Sequence, residues 1–140
     1  MTKILLSIAI IALLAFGGYK AWQVWESYAK DKDLAQQEAE AVSKIVPEQL
    51  PGMPSAWEQG YQKAYAAAQA GDLTMLRAWL KAYGQQVDDP RRAWIELDYM
   101  VMISKEDPQE AKAIFDTVRD RTPQESPVYP RVKQLAKTYE

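Results

Sequence analysis

Between Lys3 and Lys20 the chain runs from Ile4 to Tyr19 without a charged residue, and Trp22 and Trp25 come directly after. As a helix this run is about 24 Å long at about 1.5 Å per residue. A hydrocarbon core is about 30 Å thick, but Lys3 and Lys20 can reach outward while their stems stay in lipid, and Ala21 to Trp25 adds another turn. Residues 1–25 therefore read as a membrane-spanning anchor, with Lys3, Lys20, Trp22 and Trp25 at its interfaces. A cleaved signal peptide has the same order of regions, and Ala15, Gly17 and Gly18 supply small residues near its end. Cleavage would leave the two tryptophans without a role, so a retained anchor is the preferred reading over a signal peptide or a buried soluble helix.

The two cues to orientation disagree. Lys3 on one side against Lys20, Lys30 and Lys32 on the other favours a cytoplasmic C-terminal part, whereas a short N-terminal tail favours export of the chain beyond the anchor. The expectation adopted is a single-pass protein of the inner (cytoplasmic) membrane whose C-terminal domain is periplasmic or otherwise extracytoplasmic.

All 19 acidic residues lie beyond Trp22, together with all of the 17 basic ones except Lys3 and Lys20. The part outside the bilayer is thus net acidic. Nucleic acid is excluded as an expected partner, because phosphate binding needs clustered Lys and Arg; the one adjacent basic pair, Arg91-Arg92, comes just after Asp88 and Asp89. There is no cysteine and no histidine. Disulfides, thiolate chemistry, imidazole bases and the usual zinc ligands go with them, so neither a cofactor nor a metal site is expected.

From Gln23 to Val46 no strong turn former interrupts a run of good helix formers, so residues 26–46 read as a juxtamembrane helix continuing the anchor. Leu34, Ala41, Val42 and Ile45 are too sparse for a coiled-coil seam. Pro47, Pro51 and Pro54 then end the helix, and residues 47–54 read as an extended, stiff linker that acts as a spacer.

Beyond Pro54, helical blocks alternate with turn signals: Ser55 to Ala70, Leu73 to Gln86, Arg91 to Lys105, Gln109 to Arg121 and Ser126 to Tyr139. Short turns at Gly71-Asp72, Asp88-Asp89-Pro90 and Glu106-Asp107-Pro108 make the neighbours antiparallel. Ser55, Asp72, Asp107 and Ser126 are candidate N-caps. An apolar core is expected from Trp57, Tyr61, Tyr65, Leu76, Leu80, Trp94, Leu97, Ile114, Phe115, Val118, Tyr129, Val132 and Leu135. Sliding the chain by 35 residues puts Asp72 on Asp107, Leu76 on Ala111, Leu80 on Phe115 and Leu97 on Val132.

In this stretch the chain resembles the tetratricopeptide repeat family, whose helix pair closes with the pattern A-x3-F and a proline eight residues later. Ala111, Phe115 and Pro123 hold those places, within a specific match limited to residues 107–123. The first helix of that repeat departs from the family, since its Trp, Leu, small and Tyr places fall on Ile95, Asp98, Tyr99 and Met102. The resemblance implies an all-α fold in which a five-helix TPR-like α-solenoid occupies residues 55–140. It also implies that the first helix of a pair lines a groove for a partner segment, which makes Arg92, Ile95, Tyr99 and Met102 the candidate partner-binding residues.

The function expected from this reading is non-enzymatic: a membrane-anchored adaptor, scaffold or chaperone-like component of a bacterial envelope complex, with the bilayer and other proteins as partners. The alternative is a small accessory subunit of an integral-membrane enzyme complex, for which Ala9, Ala12 and Ala15 would allow close helix packing. A hydrolase built on Asp31 and Asp33 or on Asp88 and Asp89 is the remote alternative; these acids fit solvated helix ends better, and no catalytic residue is assigned.

Overall fold

The computed structural model describes residues Thr2–Glu140, and its regular structure is entirely helical: six α-helices and two short 3-10 turns. They are α1 (Thr2–Ser43), α2 (Ser55–Gln69), α3 (Thr74–Tyr83), α4 (Arg91–Ile103), α5 (Pro108–Arg121) and α6 (Tyr129–Tyr139), with the 3-10 turns at Pro47–Gln49 and Gly84–Gln86. The chain divides into two compact units, one reaching to Gln37 and the other running Glu38–Glu140.

The first unit is helical throughout its described residues. None of the residues of α1 is buried, and its N-terminal part is long and apolar enough to cross a membrane, with a mean hydropathy of 2.0 over the most apolar window. The segments read from sequence as anchor and juxtamembrane helix belong to this one helix as far as Ser43, where it ends three residues short of the expected Val46. Trp22 and Trp25 are largely exposed, at 68% and 70%, and the Lys20 ammonium lies 5.8 Å from the centroid of the Phe16 ring. Rings that amphipathic and that open suit the boundary between lipid and water.

The second unit is built around α4. Ile95, Leu97, Met100 and Ile103 are almost wholly inaccessible, and Ala111, Phe115 and Val118 of α5 pack against the same core. The apolar residues that encircle α4 are explained by this central position, since α2 and α6 also reach it through Glu58–Arg91 and Asp98–Arg131 ion pairs. Seven of the thirteen expected core residues are buried; Trp57, Tyr65, Leu80, Ile114 and Leu135 are half-buried against them, and Tyr129, at the start of α6, is half-buried outside the core.

Local chemistry explains the helix boundaries. At the end of α2, Gly71 adopts φ +100°, and Asp72 N–H donates back to Ala67 O at 2.9 Å, a left-handed closure that glycine permits at no steric cost. The Asp72 carboxylate then accepts from Thr74 N–H at 3.0 Å, and Asp107 caps α5 by accepting from Glu110 N–H at 2.9 Å. Asp72 thus stands one residue ahead of the α3 N-cap position, which Leu73 holds without a side-chain cap, and the other two expected caps differ as well. Pro54 precedes α2 with no side-chain cap, and Ser126 lies ahead of α6, which starts at Tyr129 after a turn that buries Val128.

The proline segment departs from the expected extended spacer. Instead of standing free, residues 47–54 fold onto the second unit: Leu50 and Met53 pack against the core, Asp88 N–H donates to Gly52 O at 3.1 Å, and Arg91 N–H donates to Pro51 O at 3.2 Å. Prolines remove donors but leave their carbonyls available. The Pro51 carbonyl thus meets the first N–H of α4, and the Gly52 carbonyl meets the Asp88 N–H just ahead of it. Gly52 makes the approach possible, with φ +122° and no room for a β-carbon, which would overlap the Asp88 carbonyl oxygen.

Candidate binding groove

Along α5 the residues Ala111, Phe115 and Val118 face the core, and the adjacent line Glu110, Ala113, Ile114 and Thr117 falls on the next face of the helix. This second line forms one wall of an open groove of about 370 Å³. Leu80 of α3 and Gly84 and Gln85 of the adjoining turn make another wall, and Arg92, Glu96 and Tyr99 of α4 complete it. The floor is apolar, from Leu80, Ala113, Ile114 and the Tyr99 ring. Its small residues, Gly84 and Ala113, keep it open.

The two ends of the groove differ in how their charges are paired. At the start of α4, Arg92 Nε donates to Glu96 at 2.8 Å, the second Glu96 oxygen accepts from Arg121 at 2.8 Å, and Arg121 also reaches Asp89 at 2.8 Å. Burial works against the Arg121 charge, but hydrogen bonds and charge from Glu96 and Asp89 outweigh it and raise the guanidinium above its ordinary value. About 10 Å along α4, counted as seven residues at about 1.5 Å each, the Tyr99 hydroxyl accepts from Arg77 Nε at 2.9 Å and lies 3.4 Å from a Glu110 carboxylate oxygen. The first end is a closed ionic chain. The second offers a carboxylate with one long hydrogen bond.

Of the four residues singled out from sequence, Arg92 and Tyr99 line this groove together. Ile95 does not: it is 1% exposed and belongs to the core. Met102 is half-buried against the core and lies outside the groove lining. The resemblance placed Ile95, Tyr99 and Met102 on one stripe with Arg92 a turn before it, which requires an uncovered α4 face; that face is packed, and Tyr99 itself is only 5% exposed. Glu96, Glu110, Ala113 and Thr117 went unremarked in the sequence, although the 110, 113, 114, 117 spacing beside a core stripe was a usable signal.

No protein-family model, no curated protein and no solved structure matches the chain. The tetratricopeptide resemblance therefore stands on its motif alone. Ala111 and Phe115 of that motif are buried on α5, and Pro123 lies just past the end of the helix, exposed.

Proposed function

We propose that the chain is a membrane-anchored protein-interaction module, acting as an adaptor, scaffold or chaperone-like component of a bacterial envelope complex, and that the groove between α3, α4 and α5 takes a short apolar segment of the partner. The open apolar floor of this groove, bounded by polar ends, carries the reading. Grooves of this size hold one or two apolar side chains, while a few placed polar groups fix their direction. The Glu110 end favours a segment with a hydrogen-bond donor or a basic residue next to its apolar anchor. Helix α1 supplies the attachment to the bilayer, and the module is assigned to the extracytoplasmic side of the cytoplasmic membrane. A chain free of cysteine suits that side.

A photo-crosslinking residue at Thr117, in cells carrying the full chain, tests the groove. The expected result is a discrete adduct that disappears when Ala113→Trp fills the floor, with helical content unchanged. An adduct of undiminished yield in the Ala113→Trp chain would remove the groove from the account. Because the chain lacks cysteine, single cysteines at Lys63 and Thr2 report sidedness by their reaction with an impermeant maleimide in intact and lysed spheroplasts.

A further inference from the structure

Helices α4 and α5 run antiparallel along the groove: Arg121 at the end of α5 meets Glu96 near the start of α4, and Glu110 in the first turn of α5 meets Tyr99 further along α4. The α5 wall of the groove is open to solvent, with Glu110, Ala113 and Thr117 exposed and Ile114 half-buried. Thr117 therefore lies level with the Arg92 and Glu96 end. Glu110 marks the other end, about 10 Å away as seven residues at about 1.5 Å each, and Ala113 and Ile114 lie midway.

Each end is left with one kind of unmet hydrogen bonding. Among the described residues Glu110 takes part in no ion pair, and its carboxylate has only the 3.4 Å contact with the Tyr99 hydroxyl. At the far end both oxygens of Glu96 are taken, one by Arg92 Nε and one by Arg121, each at 2.8 Å. Arg92 commits only Nε to that contact, so its two terminal nitrogens have no acceptor among the described residues. Two such nitrogens side by side match the two oxygens of a carboxylate. The groove thus holds an unmatched carboxylate at one end, an unmatched guanidinium edge at the other and small apolar residues between. A surface of that kind is complementary to itself: half a turn about an axis near Ala113 and Ile114 brings Glu110 of one copy to Arg92 of another, and the same contact is made twice.

We propose that two copies of the chain pair through this groove, the α5 edge of each entering the groove of the other and Glu110 of each meeting Arg92 of its mate. Ala113, small and exposed at the midpoint, lets the two α5 backbones come close. The pairing rests on the reading of the groove as a docking surface and supplies its regulation. Pairing and capture of a partner segment exclude one another, so self-association sets how many grooves are free. Copies anchored through α1 in one bilayer meet at a raised effective concentration, which favours an interface too small to hold in dilute solution.

Because the chain has no cysteine, Ala113→Cys in the full chain in native membranes reads the pair as a disulfide-linked dimer under mild oxidation. Lys63→Cys, on an exposed position of α2, gives the yield of chance encounters. In the Ala113→Cys chain, Arg92→Glu and Glu110→Arg should each lower the linked fraction by about tenfold, since each turns two partly exposed attractions into repulsions. Arg92→Gln and Glu110→Gln should lower it less, and they carry the comparison if a charge reversal reduces helical content. Coexpressed under separate tags, the two reversed chains should regain the parent's yield as the mixed dimer, because each offers the charge that the other now lacks. Mixing does not repair a fault in the folding of either chain. A linked fraction at Ala113 no higher than at Lys63, or a mixed dimer no more abundant than the two like dimers, would overturn the pairing. If the Thr117 adduct still vanished on Ala113→Trp, that result would strike out pairing alone; an adduct indifferent to Ala113→Trp would strike out the groove as well.

Discussion

The Arg131 guanidinium lies 4.1 Å from the centroid of the Trp94 ring, a spacing at which the ring face attracts the cation. From that position it donates to Asp98 at 2.6 Å, and both members of the pair are mostly shielded from water, at 13% and 14% side-chain exposure. This one contact ties the C-terminal helix α6 to the central helix α4. Arg131→Ala leaves a shielded carboxylate without its partner, and a loss of about 3 kcal/mol is expected in denaturant unfolding. Arg131→Lys keeps the charge but loses the planar stack, so it should recover only part of that loss.

Two carboxylates of the second unit should shape its stability in opposite directions as pH changes. Burial pushes the Asp98 carboxyl above its ordinary 3.8 despite the charge and hydrogen bond of Arg131. Protonation therefore favours the folded state: the stability difference between the parent and Asp98→Asn should shift toward the parent as pH falls through the raised value to about 3.8. Glu38 is the reverse case. Burial pushes it up, but the hydrogen bonds and charges of Lys137 and Lys133 outweigh this and hold it below 4.5. Its contribution is fully present above pH 4.5 and is lost as pH falls through the lowered value, so the parent's advantage over Glu38→Gln should shrink in acid. Urea midpoints measured from pH 3 to pH 7 check both signs; equal slopes for the two variants would contradict the assignment.

Gly52→Ala should destabilise the second unit by about 1–3 kcal/mol, because alanine is strained at φ +122° and its β-carbon would force the proline segment away from Asp88. Gly71→Ala meets no neighbour and carries only the backbone cost at φ +100°, so it should lose less, about 1 kcal/mol. Thermal melts of the two variants side by side separate the steric part from the backbone part.

What could be read from the chain tracks the range of the interactions. The start of α5 was legible because Asp107 and the amide it caps are three residues apart, and the apolar stripe Ala111, Phe115, Val118 repeats at helical spacing. The uncharged run of α1 was legible for the same reason. The folding of residues 47–54 was not, because the partners of Pro47, Pro51 and Gly52 lie at Asp88 and Arg91, some forty residues on, and nothing in a Pro-rich composition announces them. The burial of Arg91 was hidden in the same way: a charged residue next to Arg92 and two aspartates reads as solvated surface until Glu58, Tyr61 and the proline carbonyl are seen around it. The groove was half legible, since Arg92 and Tyr99 sit on α4 where expected but their opposite wall comes from α3 and α5.

The apolar residues of α1 are open along the whole uncharged run, Leu13 among them at 71% exposure. In a bilayer that surface faces lipid or other apolar helices, and a cation placed near the middle of the run must be buried in hydrocarbon or drag water in with it. Leu13→Arg should therefore cost about 2.5–3.5 kcal/mol of insertion free energy and move a large share of the protein from the carbonate-resistant to the extractable membrane fraction. Trp25→Arg, at the interfacial end, should leave the protein in the resistant fraction, because a long basic side chain there reaches the headgroups. If both variants extracted alike, the run would be acting as something other than a span; a difference confined to Leu13 fixes the hydrocarbon centre near the middle of Ile4 to Tyr19, with the aromatic residues after it at the boundary.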